Sequence, residues 1–357
     1  MTAKLNNRLV DQITGGTHIV LEAGPTHNGI ESAKKLVDLA VKAGADSIKF
    51  QTLYADRLMA DKNIEFEYSY LEIENGEEKF IPITEKLYDI LKRRELSKES
   101  WRELKAYCDA KEIHMFSTAT YRDEVDFLVD ELGIDSIKIN SGDVTDIEFI
   151  EYCATKKVNL QLDTGNADIW EIERAVIAAE EKGCTNIIIH LCPSGYPTRL
   201  ESIHLHMLKT LKQMFPNYSV AFSDHSPGWD IDIAAVALGA DMIEKTITLD
   251  RKTRSCEHSF SLEEEDAIAF INSIRNVEKA LGNSRRVIPA NIREKRKAGR
   301  RSPYALKKIP NGSEIKLSDF EFKRPGFGIT SEEFNLFQGK RLIKEINEGE
   351  GLTYQHI

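Results

Sequence analysis

Three lysines, Lys49, Lys138 and Lys245, each stand near the end of a short β-branched run. Around them lie Gln51, Ser117, Thr118, Ser141, Thr164 and Ser223, side chains able to hydrogen-bond an anion. A lysine inside a folded body is costly unless it meets an opposite charge. Two chemistries fit. One is a cradle for a phosphate or carboxylate, built from charge-assisted hydrogen bonds. The other is a Schiff base on one desolvated lysine. The hydroxyls favour the cradle. Carboxylates end other runs: Glu22, Asp163 and Asp224, with Asp143 just beyond a fourth. His190 and His225 close two neighbouring runs. Two imidazoles facing one cavity, with Glu22 beside them, suit a divalent metal with open positions. They suit equally well two rim histidines with ordinary hydrogen bonds, and spacing alone does not choose.

The elements that must position these groups are regular. Eight short runs recur between residues 17 and 283: His18-Gly24, Asp46-Thr52, His114-Ala119, Asp135-Ser141, Val158-Gly165, Asn186-Cys192, Ser219-Ser226 and Met242-Thr248. Amphipathic helical patterns separate them, and four of these end at a glycine suited to a left-handed cap: Gly44, Gly133, Gly183 and Gly239. Strict alternation implies parallel strands with crossover helices. Eight such units predict a (β/α)8 TIM barrel, with its functional groups at the C-terminal ends of the strands. A doubly wound open sheet is the alternative, weakened by the missing G-x-G-x-x-G after the first strand. The stretch 56–95 is too long for a plain connection and reads as an active-site lid. The predicted organisation is a barrel over residues 1–283, a basic linker over 284–301, and a small, mostly β domain over 302–357.

Composition narrows the function. Residues 284–357 hold 16 Lys+Arg against 9 Asp+Glu, a charge of +7. The preceding residues carry −17, within a total of −10. The acidic body argues against nucleic-acid binding, and complementary charge suggests that the tail docks on a barrel. No apolar run nears the ~18 residues of a membrane span, and the first 16 residues lack the apolar region of a signal peptide. A cytoplasmic protein is expected. The five scattered cysteines contain no C-x-x-C, which speaks against a disulfide framework or a cysteine zinc site.

The motifs in order resemble the sialic acid (nonulosonate) synthase family. They are Leu21-Glu22-Ala23-Gly24-Pro25-Thr26-His27-Asn28-Gly29, Ile48-Lys49-Phe50-Gln51-Thr52, Phe116-Ser117-Thr118, Ile137-Lys138-Ile139-Asn140-Ser141-Gly142-Asp143, Thr164-Gly165, His190, Tyr196-Pro197, Phe222-Ser223-Asp224-His225 and Glu244-Lys245. The tail, with Phe322-Lys323-Arg324-Pro325-Gly326 and Leu336-Phe337-Gln338-Gly339-Lys340, resembles that family's antifreeze-like SAF domain.

The resemblance implies condensation of phosphoenolpyruvate with an N-acetylated hexose, such as N-acetylmannosamine or a related diacetamido sugar, to a nine-carbon 2-keto acid. It implies a divalent metal, Mn2+ or Mg2+, on His190 and His225. Glu22, Lys49, Lys138 and Asp143 would be catalytic. Gln51, Ser117, Thr118, Ser141, Thr164, Tyr196, Ser223, Asp224, Lys245 and Arg324 would bind substrate. It also implies a domain-swapped homodimer in which Arg324 reaches the partner's site. Four departures stand out. Asp143 replaces a usual glutamate, Thr26 a common asparagine and Thr246 a usual histidine. The segment from His190 to Tyr196 is one residue longer than the commonest form. Two other functions compete: a Schiff-base pyruvate aldolase, and a non-catalytic carbohydrate-binding protein.

Overall fold

A computed structural model describes residues 16–282, 285 and 287–357, with the backbone alone at Lys297. The polar N-terminal stretch and part of the 284–301 linker fall outside these residues. The chain divides into two compact units, Met1–Gly282 and Asn283–Ile357.

The first unit is a closed barrel of eight parallel strands. In chain order they are β1 (His18–Glu22), β2 (Ser47–Gln51), β5 (His114–Thr118), β6 (Ser136–Ile139), β7 (Asn159–Asp163), β8 (Ile187–Leu191), β9 (Ser219–Asp224) and β10 (Met242–Thr246). β1 closes the ring by pairing with β10, Val20 opposite Glu244 and Glu22 opposite Thr246. Helices follow each strand, from α1 (Ile30–Ala43) to Glu264–Leu281. The expected glycine stops are real: Gly44 and Gly239 sit at φ 84° and 95°, conformations that strain any residue with a Cβ.

Side chains alternate across each strand. Outward-facing Ile, Leu, Val and Phe pack beneath the helices as one continuous core. The inward faces are unusually polar. At the base, Ser47 Oγ bridges His18 Nε2 at 2.7 Å and His114 Nδ1 at 2.9 Å, and His114 Nε2 meets Asp135 at 2.6 Å. This network satisfies polar groups that burial would otherwise make costly.

The 56–95 stretch is no open lid loop. Most of it is a hairpin of β3 (Glu65–Glu74) and β4 (Glu77–Lys86), ten residues each, in full register. Asn75 and Gly76 both have positive φ, as a tight two-residue hairpin turn requires. The hairpin is pinned by Tyr68, packed with Ile90 and Cys256, and by Ser259 Oγ donating to Ser69 O at 3.1 Å.

The second unit pairs β11 (Ser302–Ala305) with β12 (Phe320–Lys323) and adds isolated bridges such as Ile309 to Ile346. A small core including Phe320, Ile329, Phe334 and Leu352 holds it together. The unit also includes a helix, Ala290–Gly299, within the predicted linker.

Candidate active site

A cavity of about 270 Å³ opens at the C-terminal mouth of the barrel. Its floor is formed by Glu22, Lys49, Asp163 and Glu244. Gln51, Thr118, Asn140, Ser141, Tyr196 and His225 form its polar wall. Phe66 of the hairpin and Leu87, Ile90 and Leu91 after it supply an apolar side.

The floor is an ion lattice. Glu244 accepts from Lys49 Nζ at 2.7 Å and from Lys138 Nζ at 2.9 and 3.0 Å. Lys49 also pairs with Glu22, and Lys138 with Asp163 at 3.3 Å. Burial opposes the charge on Glu244, but Lys138 and Lys49 prevail and hold its carboxyl well below the usual range. The two lysines diverge. Burial works against both, yet Asp163 and Glu244 raise Lys138, whereas Lys49 is lowered, its remaining disadvantage being the charge of Lys138. Lys49 is thus the cation with most to gain from an arriving anion. Three carboxylates already face two lysines, so an anionic ligand must take over a place that Glu22 or Glu244 holds in its absence.

Four buried polar atoms of residues lining the cavity have no hydrogen-bond partner: Glu22 Oε2, which meets Lys49 only as an ion pair, Arg94 Nε, Asp163 Oδ1 and His225 Nδ1. The His225 ring lies edge-on to Tyr196, with centroids 4.7 Å apart.

His190 departs from expectation. It is fully buried inside the barrel rather than at its rim, and both ring nitrogens are engaged. Nδ1 lies 2.8 Å from Ser223 Oγ and Nε2 lies 2.8 Å from Gln161 Oε1. Lys138 donates to Ser223 Oγ at 2.9 Å, and Gln161 Nε2 donates to Ser136 Oγ at 2.7 Å. A chain of hydrogen bonds therefore runs from the cavity floor to the barrel base. Burial, then the charge of Lys138, lowers the His190 pKa to about 3, which keeps the imidazole neutral. The pair His190 and His225 does not fit a two-imidazole metal site, because His190 has no free nitrogen and does not line the cavity. Among the described residues, no group of three or more His, Cys, Asp or Glu side chains is arranged to hold a metal ion.

Several further expectations are corrected, those for Lys245, Asp224 and Ser117 by strand alternation. Lys245 and Asp224 point outward, not into the cavity. Lys245 pairs with Asp224 and, at 3.2 Å, with Asp232, and donates to Ser226 O at 2.7 Å beneath the outer helices. Ser117 also faces outward, bonded to Thr52 Oγ1 at 2.8 Å and to Phe50 O at 3.1 Å. Thr164 lines a neighbouring groove and donates to His190 O at 2.6 Å. Asp143 does not line the cavity. Its amide closes a turn onto Asn140 O at 2.9 Å, and burial raises its carboxyl pKa. Ser223 and Lys138 are inward but lie below the cavity, Lys138 linking Ser223 to Glu244 on its floor. Arg324 lies on an exposed segment of the second unit.

The site also holds residues to which the sequence reading assigned no role: Asp163, read as a carboxylate ending a run, Asn140 and Glu244, read within motifs, and Gln161, Arg94 and Glu257, which no motif contains. Glu244 was one step from the residue chosen, and parity from Met242 would have found it. Glu257 carries a positive φ of 75° and sits 3.6 Å from the buried guanidinium of Arg94, and nothing local in the sequence signals either.

Comparison with known proteins gives this geometry a context. The NeuB family profile matches residues 36–286, and the SAF domain profile matches residues 300–357. The chain is 32% identical to the N,N′-diacetyllegionaminic acid synthase of Legionella pneumophila, over 95% of this chain and 94% of that one. It is 30% identical to the N-acetylneuraminate-9-phosphate synthase of Homo sapiens, over 96% and 94%. Among solved structures, the N-acetylneuraminic acid (sialic acid) synthetase of Leptospira borgpetersenii superposes with a TM-score of 0.67 at 28% identity, over 78% of this chain and 90% of that one. With a closed eight-stranded barrel, charged groups converging at its mouth, and matches that run through both units, the chain belongs to the NeuB family of sialic-acid-type synthases and carries a C-terminal SAF domain.

Proposed function

We propose that this protein condenses phosphoenolpyruvate with the open-chain form of an N-acetylated hexosamine, giving a nine-carbon 2-keto sugar acid and phosphate. The observation that carries the reading is the lattice in which Glu244 ties Lys49 to Lys138 at the mouth of a NeuB-family barrel. Lys49, the lysine whose charge is less favoured, exchanges Glu22 for the anion of phosphoenolpyruvate. Lys138, held charged by Asp163 and Glu244, fixes Glu244 beside Lys49. Thr118, Asn140 and Ser141 complete the anion's hydrogen bonds. Gln51, Tyr196 and Glu22 contact the sugar.

C3 of phosphoenolpyruvate attacks the aldehyde carbon, and the aldehyde oxygen takes up a proton. The oxocarbenium at C2 is captured by water, which loses a proton. As the C2–O bond to phosphate breaks, the C2 hydroxyl gives up its proton to become the ketone, and phosphate leaves with the bridging oxygen and takes up a proton. Glu22, freed from Lys49, is the carboxylate placed to move one of these protons. The divalent metal that the resemblance implies is assigned no step here, and chelation followed by add-back of Mn2+ or Mg2+ reads whether turnover needs one.

The test is phosphate release across a panel of hexosamines, with product mass and phosphoenolpyruvate labelled with 18O at the bridging position. Release that requires both substrates, with label in phosphate, is expected. Turnover of neither N-acetylmannosamine, its 6-phosphate nor diacetamido trideoxyhexoses would remove the reading. One observation favours the aldolase instead: burial lowers the Lys49 pKa. Borohydride trapping of pyruvate on Lys49 would establish that alternative. The SAF domain is proposed to act in trans across a homodimer, so Arg324→Ala mixed with Lys138→Met should regain activity that neither has alone.

A further inference from the structure

Beside the active-site cavity lies a second one, of about 300 Å³, lined by Asn28, Ser32, Thr253, Ser255 and a group of basic side chains. The two cavities share one residue, Arg94. Nothing in the proposed reaction uses the second cavity, and, apart from Pro25 and Leu249, its lining is polar or basic and holds no carboxylate.

His27 is 3% exposed, yet neither ring nitrogen has a hydrogen-bond partner. Its ring rests edge-on against Phe50, with centroids 5.9 Å apart. Leaving both nitrogens of a buried imidazole unsatisfied is costly unless a ligand or water meets them. Arg94 is 5% exposed, and its Nε is likewise buried without a partner. Its Nη2 donates to Cys256 O at 3.4 Å and Sγ at 3.1 Å and its Nη1 stands 3.6 Å from Glu257, so Nε is the atom left open. Arg93 is neutralised by Glu85. Arg254 is exposed, lies over the Tyr70 ring at 5.3 Å and, among the described residues, forms no ion pair. His258 contributes a second imidazole, anchored by Thr248 Oγ1 at 2.7 Å. The fourteen-residue helix α1 begins between Asn28 and Ser32, and its cap residue, Gly29, provides no side chain to bond the first-turn amides. A helix start of this kind favours an anion.

The geometry points to a second oxyanion site here, of a size and donor arrangement suited to a phosphate group, with His27, Arg94 and Arg254 as its principal partners. Donors approach from the α1 start, from the Arg94 side and from the loop bearing Arg254. That arrangement suits a tetrahedral oxyanion better than a planar carboxylate. The ligand is either free phosphate or the phosphate ester of a larger molecule, since the cavity exceeds the size of the ion. The site stands apart from the proposed condensation, because binding is measured without turnover.

Isothermal titration of the full chain with inorganic phosphate tests it. Saturable binding that weakens at least about tenfold in Arg254→Gln is expected, as for loss of a charged hydrogen bond. The same loss is expected in His27→Gln, provided its thermal melt shows a folded protein. Phosphate held in the active-site cavity is untouched by Arg254→Gln, so the difference between the two proteins isolates this site. Tighter binding of N-acetylmannosamine 6-phosphate than of phosphate, lost in Arg254→Gln, would assign the ligand as an ester. Equal binding of the two, with the same loss, would assign free phosphate. No saturable binding by the wild-type chain, or unchanged binding by Arg254→Gln, overturns the site.

Discussion

β9 and β10 each carry two adjacent polar residues, and together they build two buried ion clusters on opposite sides of one sheet. Inward lie Ser223 and Glu244, joined to Lys138, Lys49 and a cavity. Outward lie Asp224 and Lys245, joined to Asp232 and sealed under helices. The composition is nearly the same, yet only the inward cluster borders a cavity. The outward one is a structural clamp between strand and helix. Even so, neither Asp232 oxygen has a hydrogen-bond partner, Oδ2 being met only by the Lys245 ion pair at 3.2 Å, and burial, only partly offset by Lys245, pushes the Asp232 pKa well up. Buried charge in a barrel is therefore no sign of catalysis until the facing side is known.

The contrast breaks most sharply at its two lysines. Lys138→Met should lower kcat/KM by about 10²–10³ and also cost about 3–5 kcal/mol, by stranding Glu244. Steady-state kinetics and urea denaturation measure the two effects. Lys245→Met should cost a similar 3–5 kcal/mol in the same denaturation experiment, while turnover per folded molecule stays within about twofold. A loss of turnover as large as that of Lys138→Met would erase the distinction between the two sides.

Acid should weaken the whole barrel. His18 and His190 are lowered to about 3 by burial, and His27 and His258 to about 4. A folded pKa below the unfolded 6.5 means the unfolded chain binds protons first. The stability these groups contribute is complete above pH 6.5 and is lost as pH falls from there toward 3–4. Each group still neutral in the native state adds a slope of about 1.4 kcal/mol per pH unit within that window. Melts recorded from pH 7 to 5 should show the fall, and His190→Gln should flatten it in part. The smallest effect sharpens the comparison from outside: Gly76→Ala at the hairpin turn should cost about 1 kcal/mol in a thermal melt, with KM for phosphoenolpyruvate unchanged.

Much of this was legible. Alternation of runs and glycine stops at Gly44 and Gly239 led to the barrel, and charged strand ends led to its mouth. The Asn75-Gly76 turn was equally readable as a hairpin, but the length of the 56–95 stretch drew attention to a lid. What local sequence does not reveal is parity at a strand end. Glu244 and Lys245 are neighbours, and only the pairing of β10 with β1 and β9 decides which one faces in. His190 shows the same limit: motif order matched it to a rim histidine, whereas the chain turns it into the interior, ahead of a segment one residue longer than usual. Partner choice is just as distant from local pattern, since Lys49 and Glu244 lie 195 residues apart.

That separation has a consequence for how the protein is made. Glu244 is the carboxylate common to both inward lysines, and it belongs to the strand that closes the ring against β1. While the chain emerges from the ribosome, Lys49 has Glu22 at hand and Lys138 has Asp163, but the residue that locks them together arrives last. Contacts of such long span form late and slowly. The site therefore assembles in the same event that seals the barrel, and a nascent chain halted before residue 244 lacks the centre of its own electrostatics.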